Sequence, residues 1–336
     1  MEILSEIVRR LLIQLPPEMA HEQALRLVGL AKSVGIPIGG KTVEKPFEIA
    51  GLKLLNPVGL AAGYDKNGEY VDALAVLGFG FIEVGTVTPR SQPGNPRPRM
   101  FRIKEKSALI NRMGFNNKGV ENLVHAVRGR KFTGPLGINI GKNATTAQDR
   151  AVDDYLSCLR AVYDSADYIT INISSPNTVG LRNLQAASYL APLLSSLANE
   201  RTMLQGDSGR FVPIFVKVAP DCQDDEFGEM AKVISESGMD GVIATNTTVA
   251  RAGVEGLLHG EEKGGLSGAP LAERAVEVVT LLRSQLPPGF PLIASGGVVS
   301  VEQALRLRAA GADAVQVYTG LVYKGPGLVA DIANAW

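Results

Sequence analysis

One unit recurs along this sequence: a short apolar, β-branched run ending in Gly, Asn, Thr or Ser, followed by a stretch of helical periodicity. Eight such runs are present, at residues 57–63 (PVGLAAG), 81–88 (FIEVGTVT), 136–142 (LGINIGK), 168–175 (YITINISS), 213–219 (PIFVKVA), 241–247 (GVIATNT), 291–297 (PLIASGG) and 314–320 (AVQVYTG). Near-continuous apolar runs are what parallel strands covered on both faces require. Between them, segments such as 68–77 and 301–310 carry apolar residues at helical spacing. Eight such units close a barrel, whereas an open doubly wound sheet more often has about five or six strands and a glycine fingerprint after the first. The predicted fold is therefore α/β, a (β/α)8 TIM barrel with its chemistry at the C-terminal ends of the strands. A length of 336 residues does not demand a second core, because barrels routinely pass ~250 residues as one unit.

The residues ahead of the first run read differently. Ile3, Leu4, Ile7, Val8, Leu11 and Leu12 form an apolar stripe, Pro16 and Pro17 interrupt it, and residues 19–31 carry a second amphipathic pattern. This predicts an N-terminal helical hairpin extension over 1–45, followed by the barrel domain over 46–336. The stripes either pack on the barrel wall or meet a membrane or ligand. Two connections, 89–117 and 248–270, are too long for simple loops and read as lid or rim elements over the site.

Composition excludes several partners. Lys plus Arg equals Asp plus Glu at 34 each, so no net field draws the chain to nucleic acid. Cys158 and Cys222 fall in no metal-ligand spacing and suit a reducing compartment. No apolar run approaches the ~18 residues of a membrane span. Glu2, Glu6, Arg9 and Arg10 interrupt any signal peptide, so a cytoplasmic location is expected. The GINIGKN segment at 137–143 is one residue short of a phosphate loop and ends in Asn143 rather than Ser or Thr. No GxGxxG follows the first run, and no GxSxG elbow is present. His21, His125 and His259 lie at no strand end and read as surface residues rather than catalysts.

Amides and lysines collect at the predicted strand tips: Lys66, Asn139, Asn172, Ser175, Asn177, Lys217, Thr245, Asn246 and Thr247. Such a set grips a small planar molecule bearing carboxylate, imide and ring N–H groups. Lys217, inside an apolar run, either snorkels or pairs with an acid, or holds the negative charge of a reduced flavin. The glycines at 296–297, with Gly320 and Gly268, suit a phosphate cradle for a cofactor or for a phosphorylated substrate.

Six motifs then become specific: LAAGYDKNGE (60–69), GTVTPRSQPGNPRPR (85–99), NRMGFNN (111–117), INISSPNT (171–178), ATNTT (244–248) and GGLSG (264–268). In order and over nearly the whole chain, they resemble the class 2, quinone-linked dihydroorotate dehydrogenases. The resemblance implies FMN-dependent oxidation of dihydroorotate to orotate in de novo pyrimidine synthesis, with electrons passed to a membrane quinone.

Carried over by motif, Ala62, Gly63, Lys66, Thr86, Asn139, Asn172, Lys217, Thr245, Gly268, Gly297, Tyr318 and Thr319 would contact FMN. Lys66, Asn111, Arg112, Met113, Gly114, Phe115, Asn172, Asn177, Asn246 and Thr247 would contact the pyrimidine. Ser175 is the implied catalytic base, helped by Thr178 and Phe115, although a serine at a strand end is otherwise most often a turn or cap residue. Class 1 relatives carry cysteine at that position and lack the helical extension, so Ser175 and the PPEMAH stretch of 16–21 both imply a quinone acceptor. Arg102 and Tyr318 resemble the family's quinone-end residues. The hairpin would then lie on the cytoplasmic face of the cell membrane, making the protein peripheral, monomeric and free of metal. Tyr64 departs from the motif, where relatives commonly have other apolar residues. The rivals are a class 1 enzyme, a dihydrouridine synthase, and a non-redox barrel lyase, isomerase or binding protein.

Overall fold

A computed structural model describes residues 2–36, 38–40 and 44–336, with side chains from residue 7 onward. The stripe residues Ile3 and Leu4 therefore have their side chains outside the described set. The chain opens with helices α1 (Glu2–Leu12) and α2 (Pro17–Ser33). A short antiparallel hairpin follows, β1 (Phe47–Ile49) and β2 (Leu52–Leu54).

Eight parallel strands form the closed barrel: β3 (Val58–Leu60), β4 (Phe81–Val87), β7 (Leu136–Ile140), β8 (Tyr168–Asn172), β9 (Ile214–Val218), β10 (Gly241–Ala244), β12 (Leu292–Ser295) and β13 (Ala314–Val317). Each pairs with the next, and β13 closes onto β3. Every predicted run contains one of these strands. They are buried on both faces because helices cover the outside while side chains fill the inside, which is why polar alternation is missing from the sequence.

The sequence pattern did not foretell the β1–β2 hairpin. Its Ile49 and Leu54 pack against Phe81, Tyr168, Phe215, Ile243, Ile293 and Ala314, residues at or near the strand starts, so the hairpin plugs the N-terminal end of the barrel. The predicted helix over 68–77 shortens to Val71–Ala75. The residues before it form a turn in which the Asp65 carboxylate accepts the N–H groups of Glu69 and Tyr70, at 3.1 and 2.7 Å. Gly68 sits there at φ +70°, where a side chain would strike Val127.

The two long connections fold together. β5 (Met100–Ile103) and β6 (Ala108–Asn111) come from the first, β11 (Gly265–Gly268) from the second, and they make one antiparallel sheet in the order β11-β6-β5. Its own small core of Phe101, Ile103, Ala108, Ile110, Val254 and Leu266 makes it a stiff roof rather than a pair of loops.

Helix α2 docks on the barrel through Leu25, which joins the main core, and through Arg99, whose guanidinium meets Glu18 at 2.7 Å with both groups largely buried. Arg102 on β5 donates to the carbonyls of Ile13 and Leu15 at 2.9 and 2.8 Å, holding the turn between α1 and α2. The hairpin still leaves apolar residues in water, with Leu11 67% and Leu30 59% exposed. Among the described residues, no helix is long and apolar enough to cross a membrane.

Candidate active site

A cavity opens at the C-terminal ends of the barrel strands, under the three-stranded roof. Its floor is organised by a charge buried inside the barrel. Four donors converge on the Glu83 carboxylate: Asn139 Nδ2 at 2.8 Å, Gln316 Nε2 at 2.8 Å, and the hydroxyls of Tyr168 and Thr170, each at 3.1 Å. That contact decides the orientation of the Asn139 amide, since its NH2 must face the carboxylate. Asn139 Oδ1 is then free to accept from Thr86 Oγ1 at 2.5 Å and from Asn172 Nδ2 at 3.1 Å. Asn172 Oδ1 in turn accepts from Asn246 Nδ2 at 3.4 Å. One ionisable group inside the barrel thereby sets which way the amides of the cavity present their donors and acceptors.

Two lysines bring positive charge to this network. Lys217 on β9 is buried, and among the described residues its ammonium makes no hydrogen bond. Burial pushes its pKa down, opposed by the charge of Glu83. Among the described residues the Lys66 ammonium likewise has no hydrogen-bond partner, and burial brings its pKa down to about 8, with Glu18 opposing the shift and Arg99 adding to it. A desolvated ammonium without an acceptor is costly, so each is a group able to receive an anion.

The same cavity is lined by Ser175. Its Oγ accepts the Asn177 N–H at 3.3 Å, while its own proton has no acceptor among the described residues. Asn177 Nδ2 reaches up to Asn111 Oδ1 in the roof at 3.1 Å. Thr178 Oγ1 is buried and without a hydrogen-bond partner. At the far end, the turn after β12 passes Gly296 and Gly297, and the N–H groups of Gly297 and Val298 make no hydrogen bond among the described residues. Gly297 has φ +74°, and a Cβ there would lie 2.4 Å from the Ala272 backbone, so only glycine can hold these N–H groups toward the cavity mouth.

Most of the sequence candidates come together. Ala62, Gly63, Lys66, Thr86, Asn172 and Lys217 line the cavity, as do Thr245, Gly268, Gly297, Tyr318 and Thr319. So do Asn111, Met113, Gly114 and Phe115, together with Ser175, Asn177, Asn246 and Thr247. Two do not. Asn139 lies beneath the surface as a second layer, buried under Thr86 and Asn172. Arg112 is corrected: its guanidinium turns out of the cavity, pairs with Glu262 at 2.7 Å and stacks 4.5 Å from the Phe101 ring centre. Arg112 follows directly on Asn111, the last residue of β6, which lines the cavity, and its own side chain leaves on the other side of the roof.

Sequence reasoning missed Glu83 and Gln316. Glu83 stands alone as an acid inside the apolar run 81–88, as Lys217 stands alone as a base inside 213–219; opposite charges isolated in two buried strands were the available signal. His21 was also misread. Its ring packs edge-on to Tyr64 at 4.8 Å, Tyr64 packs edge-on to Tyr318 at 5.4 Å, and Tyr318 lines the cavity. Burial, with Lys66 adding to it, pushes the His21 pKa down to about 3, so the ring is neutral. The i+4 spacing of His21 to the core residue Leu25 on α2 was the overlooked clue.

The barrel, its roofed cavity and the lysines and amides that line it define a (β/α)8 barrel whose candidate site lies at the C-terminal face. The comparisons identify which barrel it is. Residues 46–335 match the family model for dihydroorotate dehydrogenase, and the chain belongs to the dihydroorotate dehydrogenase family. It is an oxidoreductase. The chain is 55% identical over 329 residues to the dihydroorotate dehydrogenase (quinone) of Cellvibrio japonicus, covering 97% of this chain and 96% of that protein. It is 51% identical over 331 residues to the enzyme of the same name from Pseudomonas putida strain W619, covering 98% and 97%. Among solved structures, the ligand-free enzyme of Eimeria tenella matches with a TM-score of 0.87 at 37% identity, covering 95% of this chain and 93% of that one.

Proposed function

We propose that this chain uses FMN to oxidise (S)-dihydroorotate to orotate, a step of de novo pyrimidine synthesis, and delivers the electrons to a membrane quinone. The observation that carries this reading is one cavity lined by two ammonium groups, Lys66 and Lys217, and by the Ser175 hydroxyl, none of which has an acceptor among the described residues. The donor set fits a flavin mononucleotide. Unpartnered N–H groups at Gly297 and Val298, flanked by Thr319, suit the phosphate, and Lys217 suits the N1–C2 oxygen edge of the ring.

When bound, the flavin supplies the acceptor for the hydride that leaves C6 of the substrate. Ser175 takes the C5 proton, so the two electrons and the proton leave by separate routes and a C5–C6 double bond remains. A serine hydroxyl is a weak base. The enclosed wall formed by Phe115 and the roof keeps water from competing, and the unpartnered Thr178 Oγ1 is a group able to carry the proton onward. Lys66 holds the substrate carboxylate, while Asn111, Asn172, Asn177 and Asn246 orient its imide and ring N–H groups. Lys217 would hold negative charge on the flavin when it is bound.

Residues 1–45 are the membrane-facing extension and 46–336 the catalytic domain, which would work as a monomer at the cytoplasmic face of the cell membrane. The exposed apolar side of the hairpin supports this, as does the run of edge-on rings from His21 through Tyr64 to Tyr318, which joins α2 to the cavity. The test is the visible spectrum of the purified protein under anaerobic addition of dihydroorotate. Flavin bands near ~450 nm that bleach support the reading. A colourless protein that FMN does not reconstitute refutes it, and a yellow protein unmoved by dihydroorotate refutes the substrate.

A further inference from the structure

We propose that Arg182, clamped by Asp221, is a positioning residue that sets the Ser175 loop against the Asn246–Thr247 wall of the substrate cavity; this rests on the functional reading above. Arg182 does not line the cavity, yet it grips both of its sides. Its Nε donates to the carbonyl of Ser174, the residue before Ser175, at 3.0 Å. Its Nη2 donates to the carbonyl of Thr247 at 2.8 Å, and its Nη1 to Asp221 Oδ2 at 2.7 Å. The other Asp221 oxygen accepts the Thr248 hydroxyl, and Val249 N–H also points at this carboxylate, 3.2 Å from Oδ2. Both partners are largely buried, at 21% and 19% exposure.

These contacts belong to a closed ring. Thr248 bridges to Leu266 in the roof, where Gly265 lies beside Asn111, and Asn111 accepts from Asn177, which returns to the Ser175 loop. The ring has a neutral side, Asn177 to Asn111, and a charged side, Arg182 to Asp221. Charge-assisted bonds are about twice as strong as neutral ones, so the clamp is the fixed side, and the loop bearing Ser175 takes its place from it. The planar guanidinium is what the geometry demands. It sends donors in three set directions to two carbonyls and a carboxylate, whereas an ammonium on a flexible stem holds no such fork.

The test uses the full-length, FMN-loaded protein and separates the two half-reactions in Arg182→Ala, Arg182→Lys and Asp221→Asn. Flavin bleaching by saturating dihydroorotate is followed by rapid mixing, and reoxidation of the dithionite-reduced protein by a short-chain quinone is followed separately. A displaced base slows only the first: the limiting bleaching rate falls about tenfold to a hundredfold in Arg182→Ala. Arg182→Lys recovers part of the loss and Asp221→Asn lies between, while reoxidation and FMN content stay at wild-type values. If Arg182→Ala does not fold, the other two variants carry the test. Bleaching within twofold of wild type in those two overturns the proposal, and so does an equal loss in both half-reactions, the signature of a general structural role. A wild-type flavin that dihydroorotate does not bleach overturns the functional reading and this inference with it. A bleached wild type with unaltered variants overturns the inference alone.

Discussion

Replacing Glu83 by Gln asks whether the charge inside the barrel orients the amides of the cavity. The replacement is nearly isosteric but offers one acceptor oxygen in place of two. With that oxygen toward Tyr168, Thr170 and Gln316, the new NH2 faces Asn139 Nδ2, donor against donor. Asn139 must then turn over, and its NH2 meets Thr86 and Asn172 where Oδ1 now accepts from both. Hydrogen bonds to a charged acceptor contribute ~1.5–3 kcal/mol and neutral ones ~1, so each of the three retained bonds weakens by about 1 kcal/mol. The buried donor left unsatisfied adds about 1–3 kcal/mol. The total of about 4–6 kcal/mol is a large part of a typical margin of ~5–15 kcal/mol. Leaving Lys217 without its carboxylate acts in the same direction. Denaturant unfolding of the full chain, read beside FMN affinity by fluorescence, measures both consequences: a lower midpoint and weaker flavin binding. A loss below about 1 kcal/mol with unchanged flavin affinity would refute the argument, because it would mean the amides hold their orientation without the charge.

Ser175→Ala should keep FMN and its spectrum while slowing anaerobic bleaching by dihydroorotate about 10²–10⁴-fold, the usual contribution of a general base; bleaching at the wild-type rate would remove Ser175 from the chemistry. Lys66 is charged below its pKa of about 8 and neutral above it, so kcat/KM for the anionic substrate should fall as pH rises through that value, and Lys66→Met should give a low, flat profile over the same range. His21 is held neutral with a pKa of about 3 against an ordinary 6.5, so its contribution to hairpin docking is complete above 6.5 and is lost as pH falls from there toward 3. Limited proteolysis of the N-terminal helices should therefore be faster at pH 5 than at pH 7, and His21→Phe should lessen that difference. Removing residues 1–41 should abolish detergent-stimulated quinone reduction while leaving bleaching by dihydroorotate intact; unchanged quinone kinetics would refute a role for the hairpin in quinone access.

The barrel was legible because each strand lies buried on both faces, so its run of apolar residues carries no polar alternation, and eight such runs admit few arrangements. The strand-tip residues were legible for a related reason: a parallel barrel brings every C-terminal strand end to one face, so Lys217, Asn172 and Thr245 had to be neighbours once the barrel closed. The β1–β2 plug was not legible, since three-residue strands carry too little periodicity to register. Nor was the roof, in which β6 and β11 pair although they come from connections more than a hundred residues apart.

The sequence by itself determined the closed barrel, the helical extension and the residue types at the strand tips, because these follow from local periodicity and from the chain order of the motifs. Tertiary structure alone decided how those residues act. It turned Arg112 outward, drew His21 in against Tyr64, set Asn139 beneath the cavity, and placed Glu83 where four donors from three barrel strands converge. The physical reason is distance along the chain. Hydrogen-bond direction and desolvation depend on neighbours such as Glu83 and Gln316, 233 residues apart, which no local pattern encodes.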